Sequence, residues 1–197
     1  MDDLHSPVLC NEFVRLEPLT HEHSAELSAA VSESELWKIW YTRIPPPERM
    51  SEEIQRRLDL LRQGTMVPYA VIEPASGQAV GMTTFMAISP ENRRLEIGST
   101  WLSRKVQGGT INPAMKLLML QRAFEELDCL RVEFRTHWFN HRSRTAIAKL
   151  GAKQDGVLRH DEVMPNGTVR DTVIFSIIAA EWPAVKFNLE SRLGLTG

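Results

Sequence analysis

Residues 94–130 read RLEIGSTWLSRKVQGGTINPAMKLLMLQRAFEELDCL, and this stretch decides the fold. An extended segment, Arg94–Leu102, leads into the small-residue turn QGGT at 107–110. A helix follows the turn, and a new strand is predicted near Leu130. The first N–H groups of a helix are unpaired and carry partial positive charge, so a turn of small residues before a helix favours an anionic ligand. The stretch therefore predicts a site for a phosphate-bearing cofactor.

The usual nucleotide-binding loops are missing from the chain. It contains neither Gly-x-x-x-x-Gly-Lys-Ser/Thr nor Gly-x-Gly-x-x-Gly. We therefore expect the anion to belong to another kind of ligand.

The composition is that of an ordinary globular protein. With 197 residues, 43% of them hydrophobic and 24% charged, one domain spanning 1–197 is the simplest expectation. The net charge of −2 gives no general attraction to nucleic acid or to anionic membranes. We therefore expect small-molecule chemistry, with neither nucleic acid nor membrane as a partner.

The cysteines and the N-terminus indicate a reducing compartment. Cys10 and Cys129 are far apart and form no Cys-x-x-Cys pair, which argues against a disulfide framework and a zinc ribbon. The segment Met1–His5 has no basic region followed by an apolar run, and no apolar stretch approaches the roughly 20 residues that span a bilayer. A cytoplasmic location is expected.

Periodicity and turn signals predict alternating helices and strands. The predicted elements are a strand over 13–18, a helix over 21–31 capped by Thr20, a helix over 33–41, a helix starting at Ser51, a hairpin of strands over 67–73 and 79–88, a strand over 94–102, a helix over 113–127 with Asn112 before it, a strand over 130–138, a helix over 143–150, and a hairpin turning at Asn166-Gly167. The crossover helix implies that strands 94–102 and 130–138 are parallel, whereas the hairpins are antiparallel. The sheet is therefore expected to be mixed.

The order of these elements accompanies a series of short motifs. They are Glu96-Ile97-Gly98 with Trp101-Leu102, Gln107-Gly108-Gly109, Ala123-Phe124-Glu125, Arg131-Val132, Asn140 with Ser143, Leu150-Gly151-Ala152, Asp155-Gly156-Val157-Leu158-Arg159, Asp171-Thr172-Val173 and Glu181-Trp182. Together they resemble the GNAT N-acetyltransferases of the ribosomal-protein RimJ/RimL type, over nearly the whole chain. The resemblance implies the α/β GNAT fold: a mixed, mostly antiparallel sheet of about seven strands, with the parallel fourth and fifth strands splayed apart and helices on both sides.

The resemblance also implies acetyl-CoA as cofactor, with pantetheine between the splayed strands and pyrophosphate on the N–H groups of the following helix. The cofactor-binding residues it implies are Trp101, Leu102, Gln107, Gly108, Gly109, Thr110, Ile111, Asn112, Asn140, Ser143 and Arg144. Like Arg144, the basic residues Arg104 and Lys105 beside the loop could contact phosphate; the alternative is that these side chains are only solvated.

This chain departs from the family pattern at two places. The family loop reads Arg/Gln-x-x-Gly-x-Gly/Ala; Gln107 matches, whereas Thr110 and Asn112 bring side chains. We expect their hydroxyl and amide to bond the phosphates; the alternative is that the backbone approaches the phosphates less closely. The strand over 96–102 is one residue longer than the family pattern, which predicts a β-bulge that helps to splay the strands.

Acetyl transfer to an amine needs a neutral nitrogen, donors for the thioester oxygen and a proton for the departing thiolate. We expect Glu96 to act as the base; it could instead be a strand residue paired with Arg94 or Arg135, or a water could relay the proton. A backbone N–H near Trp101 or Leu102 is expected to hold the carbonyl oxygen, as the resemblance implies.

Many relatives protonate the thiol with a tyrosine, which the segment 141–145 lacks. The resemblance implies that Asn140 bonds pantetheine amides and that Ser143 approaches the sulfur or the pyrophosphate. Ser143 is therefore the expected second catalytic residue. The alternative is that it only caps the helix.

The acceptor side is expected near a cluster before three prolines. It comprises Trp37, Trp40, Tyr41 and Arg43, joined by Trp138. These aromatic residues could equally be core residues, whereas Arg43 would favour an anionic acceptor. No metal site is expected, because a strand end separates His137 from His141.

The expected activity is transfer of the acetyl group to a bound primary amine by direct attack in a ternary complex, since no cysteine lies in the cleft motifs. A peptide N-terminus, an amino acid, a polyamine or an antibiotic amine fits equally well. The alternatives are a non-catalytic acyl-CoA-binding module and a nucleotide-binding α/β protein. A homodimer through 182–193 is also possible.

Overall fold

The computed structural model describes residues 6–196, a continuous chain built on one eight-stranded sheet. The strands are β1 (Leu9–Cys10), β2 (Arg15–Pro18), β3 (Met66–Glu73), β4 (Gln78–Ser89), β5 (Arg94–Leu102), β6 (Arg131–His137), β7 (Lys153–Val163) and β8 (Val169–Ile178). The α-helices are α1 (Ser24–Ser34), α2 (Met50–Arg62), α3 (Ile111–Gln121), α4 (His141–Leu150) and α5 (Trp182–Arg192). A π-helical segment, Arg122–Glu126, extends α3. Met1–His5, which entered the expectation about location, lie outside the described residues.

The strand order is β1-β2-β3-β4-β5-β6-β8-β7, and the sheet is mixed as expected. Every neighbouring pair is antiparallel except β5 and β6. The sheet has one strand more than expected, because β1 has only two residues and is too short to show an alternating pattern.

Helices cover both faces of the sheet, and each face has its own apolar core. One core joins β-strand residues such as Phe134 and Ile97 to α3, α4 and α5. The other joins α1 and α2 to strand residues that include Met82 and Trp101. Successive residues of a strand point to opposite faces, so the core to which a strand residue belongs shows which layer of helices its side chain faces.

Two predictions about the helices are wrong. The helix over 33–41 is only a 3-10 turn, Leu36–Lys38, because Glu35 takes a left-handed conformation (φ 49°) and ends α1. The helix expected over 113–127 begins earlier, as α3 at Ile111 with Thr110 as its N-cap, so Asn112 lies in the first turn instead of before it. Pro113 is still within the first turn, where its missing N–H costs no hydrogen bond.

Among residues 6–196, the helices are too short or too polar to cross a bilayer.

Candidate active site

A β-bulge lies in the middle of β5, as the strand length predicted. Met82 pairs with Trp101 and Thr84 with Gly98, so two steps along β4 correspond to three along β5. The extra residue is Ser99, whose φ of 46° is left-handed. The bulge therefore interrupts the antiparallel β4–β5 ladder close to the point where β5 separates from its parallel neighbour β6.

The parallel pair diverges just before this bulge. Only three residue pairs join β5 to β6, and the last is Glu96 with Glu133. Beyond it the two strands no longer pair, and a cleft of about 960 Å³ lies between them. The expected splay is therefore present.

The sheet divides the cleft into two sides. Leu95 and Ile97 belong to the core under α3, so Glu96 between them projects to the opposite face, towards α1 and α2. Arg135 and His137 of β6 follow Glu133 at intervals of two, and they share that face. The ionisable groups of the sheet thus face α1 and α2.

The start of α3 forms the other end of the cleft. Gln107, Gly108 and Asn112 line it, and Gly108 takes a positive φ of 84°. Thr110 makes no side-chain cap, so its hydroxyl does not occupy the first N–H groups of α3. The buried Gln107 Oε1 has no hydrogen-bond partner, while Gln107 Nε2 donates to the Leu102 carbonyl at 2.5 Å. These features suit a ligand that brings both anionic oxygens and donors.

The start of α4 closes the same side. Asn140 is the N-cap, and its Oδ1 accepts the backbone N–H of Ser143 at 3.0 Å. Ser143 is thus not the cap, and its hydroxyl makes no bond to the helix start. Both residues line the cleft. Arg144 instead stacks over the ring of Trp138 at 4.3 Å from its centroid.

Glu96 is buried at the divergence, with 8% of its surface exposed. Burial raises the pKa of its carboxyl group to about 7; Arg135 opposes this shift and Glu133 adds to it. The Arg135 Nε atom is 3.8 Å from Glu96 Oε2, whereas Arg94 pairs with Glu133 at 2.9 Å. Glu96 thus keeps a pKa suited to taking up a proton near neutral pH, although the cations Arg135 and Arg170 both oppose the shift.

The acceptor-side prediction is met in part. Tyr41 lines the cleft, and Trp40 packs edge-on against His137 with centroids 5.2 Å apart. Trp37 packs against the core under α1 and α2, as the alternative interpretation held. Arg43 lines the cleft, but its Nη2 pairs with Glu162 at 2.8 Å, so its charge is already balanced.

The predicted residues that line the cleft are Tyr41, Arg43, Glu96, Trp101, Leu102, Gln107, Gly108, Asn112, Asn140 and Ser143. The predicted residues outside its lining are Trp37, Trp40, Gly109, Thr110, Ile111, Trp138 and Arg144. The lining thus holds both proposed catalytic residues and most of the cofactor set.

Sequence reasoning missed four groups of the lining. Lys116 of α3 is buried, with its Nζ 3.0 Å from Thr100 Oγ1. His137, Arg170 and Thr172 each have a buried side-chain polar atom without a partner. His137 Nδ1 accepts the Phe139 N–H at 3.1 Å, which leaves its Nε2 as the free position.

The free donors share one patch of the sheet. His137 is directly opposite Thr172 across β6 and β8, and Arg170 follows on the same face of β8. A carboxylate or carbonyl oxygen of a ligand would accept hydrogen bonds from these donors. The only signal in the sequence was the Asp171-Thr172-Val173 motif, which does not reveal the direction of these side chains.

Within 6–196, no group of three His, Cys, Asp or Glu residues is placed to hold a metal ion.

A parallel strand pair that splays apart onto an uncapped helix start is the arrangement that the resemblance to the GNAT acetyltransferases implies, and comparisons with known proteins agree. Residues 14–153 match the family described as acetyltransferase (GNAT) domain, so the chain belongs to this acetyltransferase family. A relative from Bacillus subtilis (strain 168), "Putative ribosomal N-acetyltransferase YdaF", is 31% identical over 110 residues. That match covers 56% of this chain and 59% of the relative, so it spans less than two thirds of the relative's length.

Solved structures share the fold over nearly the whole chain. A GCN5-related N-acetyltransferase from Brucella melitensis has a TM-score of 0.85 at 28% identity, covering 95% of this chain and 85% of that one. Mycobacterium smegmatis RimJ, solved in complex with CoA-disulfide, has a TM-score of 0.77 at 21% identity, covering 92% and 89%. The expected α/β GNAT fold is confirmed.

Proposed function

We propose that the protein transfers the acetyl group of acetyl-CoA to a primary amine by direct attack in a ternary complex. The observation that carries the proposal is the divergence of β5 and β6 after Glu96 and Glu133, which puts a buried carboxylate in the opening. Membership of the acetyltransferase family supports the choice of acyl donor.

The residues of the cleft fit this donor. The start of α3 offers backbone N–H groups to a pyrophosphate, and Gln107 and Asn112 offer side chains beside them. Asn140 and Ser143 face the same side of the sheet from α4. Acetyl-CoA supplies an activated acyl carbon there, and the backbone next to Trp101 is the proposed donor to its carbonyl oxygen.

Glu96 serves as the base. Its carboxylate takes a proton from the acceptor nitrogen, directly or through a water, because its pKa of about 7 leaves it ionised in much of the enzyme near neutral pH. Ser143 donates a hydrogen bond towards the sulfur. The Arg135 guanidinium, 3.8 Å from Glu96, stabilises the ionised form of the carboxyl group but leaves it able to accept a proton.

A peptide N-terminus is the acceptor we favour. An N-terminal residue carries an α-amino group, which would contact Glu96, and a carbonyl oxygen close to it. That oxygen would accept hydrogen bonds from His137 and Thr172, whose buried polar atoms have no partner. The relative named as a ribosomal N-acetyltransferase supports the same choice. A polyamine has no oxygen for these donors.

We also propose that residues 1–197 form a single domain and that α5 can join two copies. Phe187 of α5 is 63% exposed and gives this helix an apolar contact point. Sedimentation of the wild type and of Phe187→Glu tests the dimer. We expect the wild type to sediment as a dimer and the variant as a monomer.

The experiment is a mass-spectrometric screen with acetyl-CoA and amines of different classes. The panel holds peptides with free N-termini, the same peptides blocked at the N-terminus, free amino acids and spermidine. We expect acetylation of the free peptides only, and its loss in Glu96→Gln. Acetyl-CoA binding without turnover of any amine would mean a non-catalytic binding module instead.

A further inference from the structure

Lys116 of α3 places an amine in the gap between the diverging strands. Its side chain is buried, its Nζ lies 3.0 Å from Thr100 Oγ1 of β5, and it lies over the Phe134 ring of β6 at 5.8 Å from the centroid. Lys116 also lines the cleft. The amine is thus held between the two strands that no longer pair with each other.

Packing does not explain a lysine at this position. Its neighbours along α3, Met115, Leu117 and Met119, are all buried apolar residues. Among residues 6–196 no carboxylate forms an ion pair with Lys116, so its ammonium form lacks a counter-charge in a buried place. A buried lysine without a counter-charge is destabilising, and an apolar side chain would suit the helix better. The amine is therefore a candidate for a function.

The side chains recorded in contact with Lys116 are uncharged. Thr100 faces it from β5 and Phe134 from β6, and Ser143 is the polar residue of α4 in the lining. The titratable side chains of the same strands, including Glu96 and Arg135, project from the other face of the sheet. Arg142 of α4 lies in the lining, and its side chain is exposed to solvent.

We propose that Lys116 is a catalytic residue that protonates the departing thiolate of CoA. The proposal rests on the function proposed above and assigns its acid. As the acceptor nitrogen forms its bond to the acetyl carbon, the carbon–sulfur bond breaks and its electron pair goes to sulfur. The Lys116 ammonium gives a proton to that sulfur and becomes a neutral amine. Glu96 takes the proton of the acceptor nitrogen and releases it to solvent, and a proton from solvent restores the Lys116 ammonium after the thiol leaves.

The chemistry suits an amine better than a hydroxyl. Ser143 can donate a hydrogen bond to the sulfur, but a serine hydroxyl cannot give up its proton unless another group replaces it. Burial lowers the pKa of Lys116 to about 7, below the value of about 8.5 for an ordinary thiol, so transfer from the ammonium to a thiolate is downhill. Lys116 thus supplies the acid that the missing tyrosine provides in many relatives.

The test compares the wild type with Lys116→Met, which keeps an apolar stem of similar length. Lys149→Met is the matched control, because Lys149 is exposed on α4 and outside the cleft lining. Lys116→Gln is the second variant; it keeps a donor to Thr100 but cannot hold a transferable proton. Thermal denaturation with CoA shows that each variant folds and binds.

Two readouts follow. The first is the pH dependence of kcat with the acceptor from the screen, which reports the groups that titrate in the enzyme–substrate complex. Because only the ammonium form of Lys116 donates a proton, the wild-type kcat should fall as pH rises through about 7, and this descending limb should be absent in Lys116→Met and Lys116→Gln. With the acceptor from the screen, kcat should fall about 100-fold, while the KM for acetyl-CoA changes by no more than about twofold.

The same descending limb of kcat in wild type and both variants, with CoA bound to all, would overturn the assignment of Lys116 and leave the proposed function standing. A wild type that binds no CoA would instead refute the proposed function.

Discussion

Arg57 of α2 donates a hydrogen bond to the backbone carbonyl of Ser99 at 3.2 Å and thereby ties a helix to the bulge of β5. Its Nη1 also bonds Thr84 Oγ1 at 2.8 Å, and its Nε bonds Glu53 at 2.7 Å. The guanidinium is buried, so these bonds are protected from water. Arg57 therefore holds the strained residue at which the cleft opens.

Arg57→Met should lower the free energy of unfolding by about 1–3 kcal/mol, because the bonds to Ser99 and Thr84 are lost. Glu53 keeps Arg56 as a partner, which limits the cost. Urea denaturation measures the change. Arg62→Met on the same helix is the control, since Arg62 is exposed and its loss should cost less than about 0.5 kcal/mol. Equal losses in the two variants would refute the role of Arg57.

Glu96→Gln should abolish the rise of kcat/KM towards neutral pH. The wild-type rate is expected to increase up to about pH 7 as Glu96 ionises, because only the carboxylate accepts a proton, and to fall above it as Lys116 loses its proton. The loss in the variant at pH 7 should be about 100-fold or more. A variant that keeps the same ascending limb would show that another group is the base.

The stability of the wild type should fall as pH rises through the same region. The pKa of Glu96 is raised from 4.5 to about 7 in the folded protein, so the folded state holds a proton that the unfolded state has lost. This contribution is fully present below pH 4.5 and is lost as pH rises to about 7. Denaturant unfolding should show Glu96→Gln gaining up to about 3 kcal/mol relative to wild type between pH 4 and pH 8. A pH-independent difference would contradict the raised pKa.

Asn140 and Ser143 can be separated by their effects on stability. Asn140→Ala removes the cap of α4 and should cost about 1 kcal/mol, whereas Ser143→Ala leaves the cap in place and should cost little. Ser143→Ala should still lower kcat, because its hydroxyl is free to face the sulfur. Thermal denaturation and steady-state kinetics on both variants test this division. A loss of stability in Ser143→Ala equal to that in Asn140→Ala would contradict it.

The sequence was most informative where local chemistry decides the structure. The length of β5 indicated the bulge now found at Ser99, and the crossover helix indicated the parallel pair. The helix after β6 was expected to begin at Ser143, with Ser143 as the alternative cap, whereas α4 begins at His141 and Asn140 holds the cap.

Sequence reasoning missed features that depend on tertiary contacts. Arg57 lies among the surface arginines of α2 and carries no local sign that it is buried. Lys116 also looks like an ordinary charged residue of a helix, because only the gap between β5 and β6 makes its position special. The helix expected over 33–41 failed at Glu35, whose left-handed conformation no helix propensity anticipates.

The most direct test of the account is thermal denaturation of the protein with acetyl-CoA, CoA and ATP. A ligand that binds only the folded state stabilises it, by about 2.7 kcal/mol at a concentration 100 times its Kd. The account predicts a higher Tm with acetyl-CoA and with CoA, and no change with ATP. A rise with ATP alone, or with none of the three, would contradict a cleft built for an acyl-CoA.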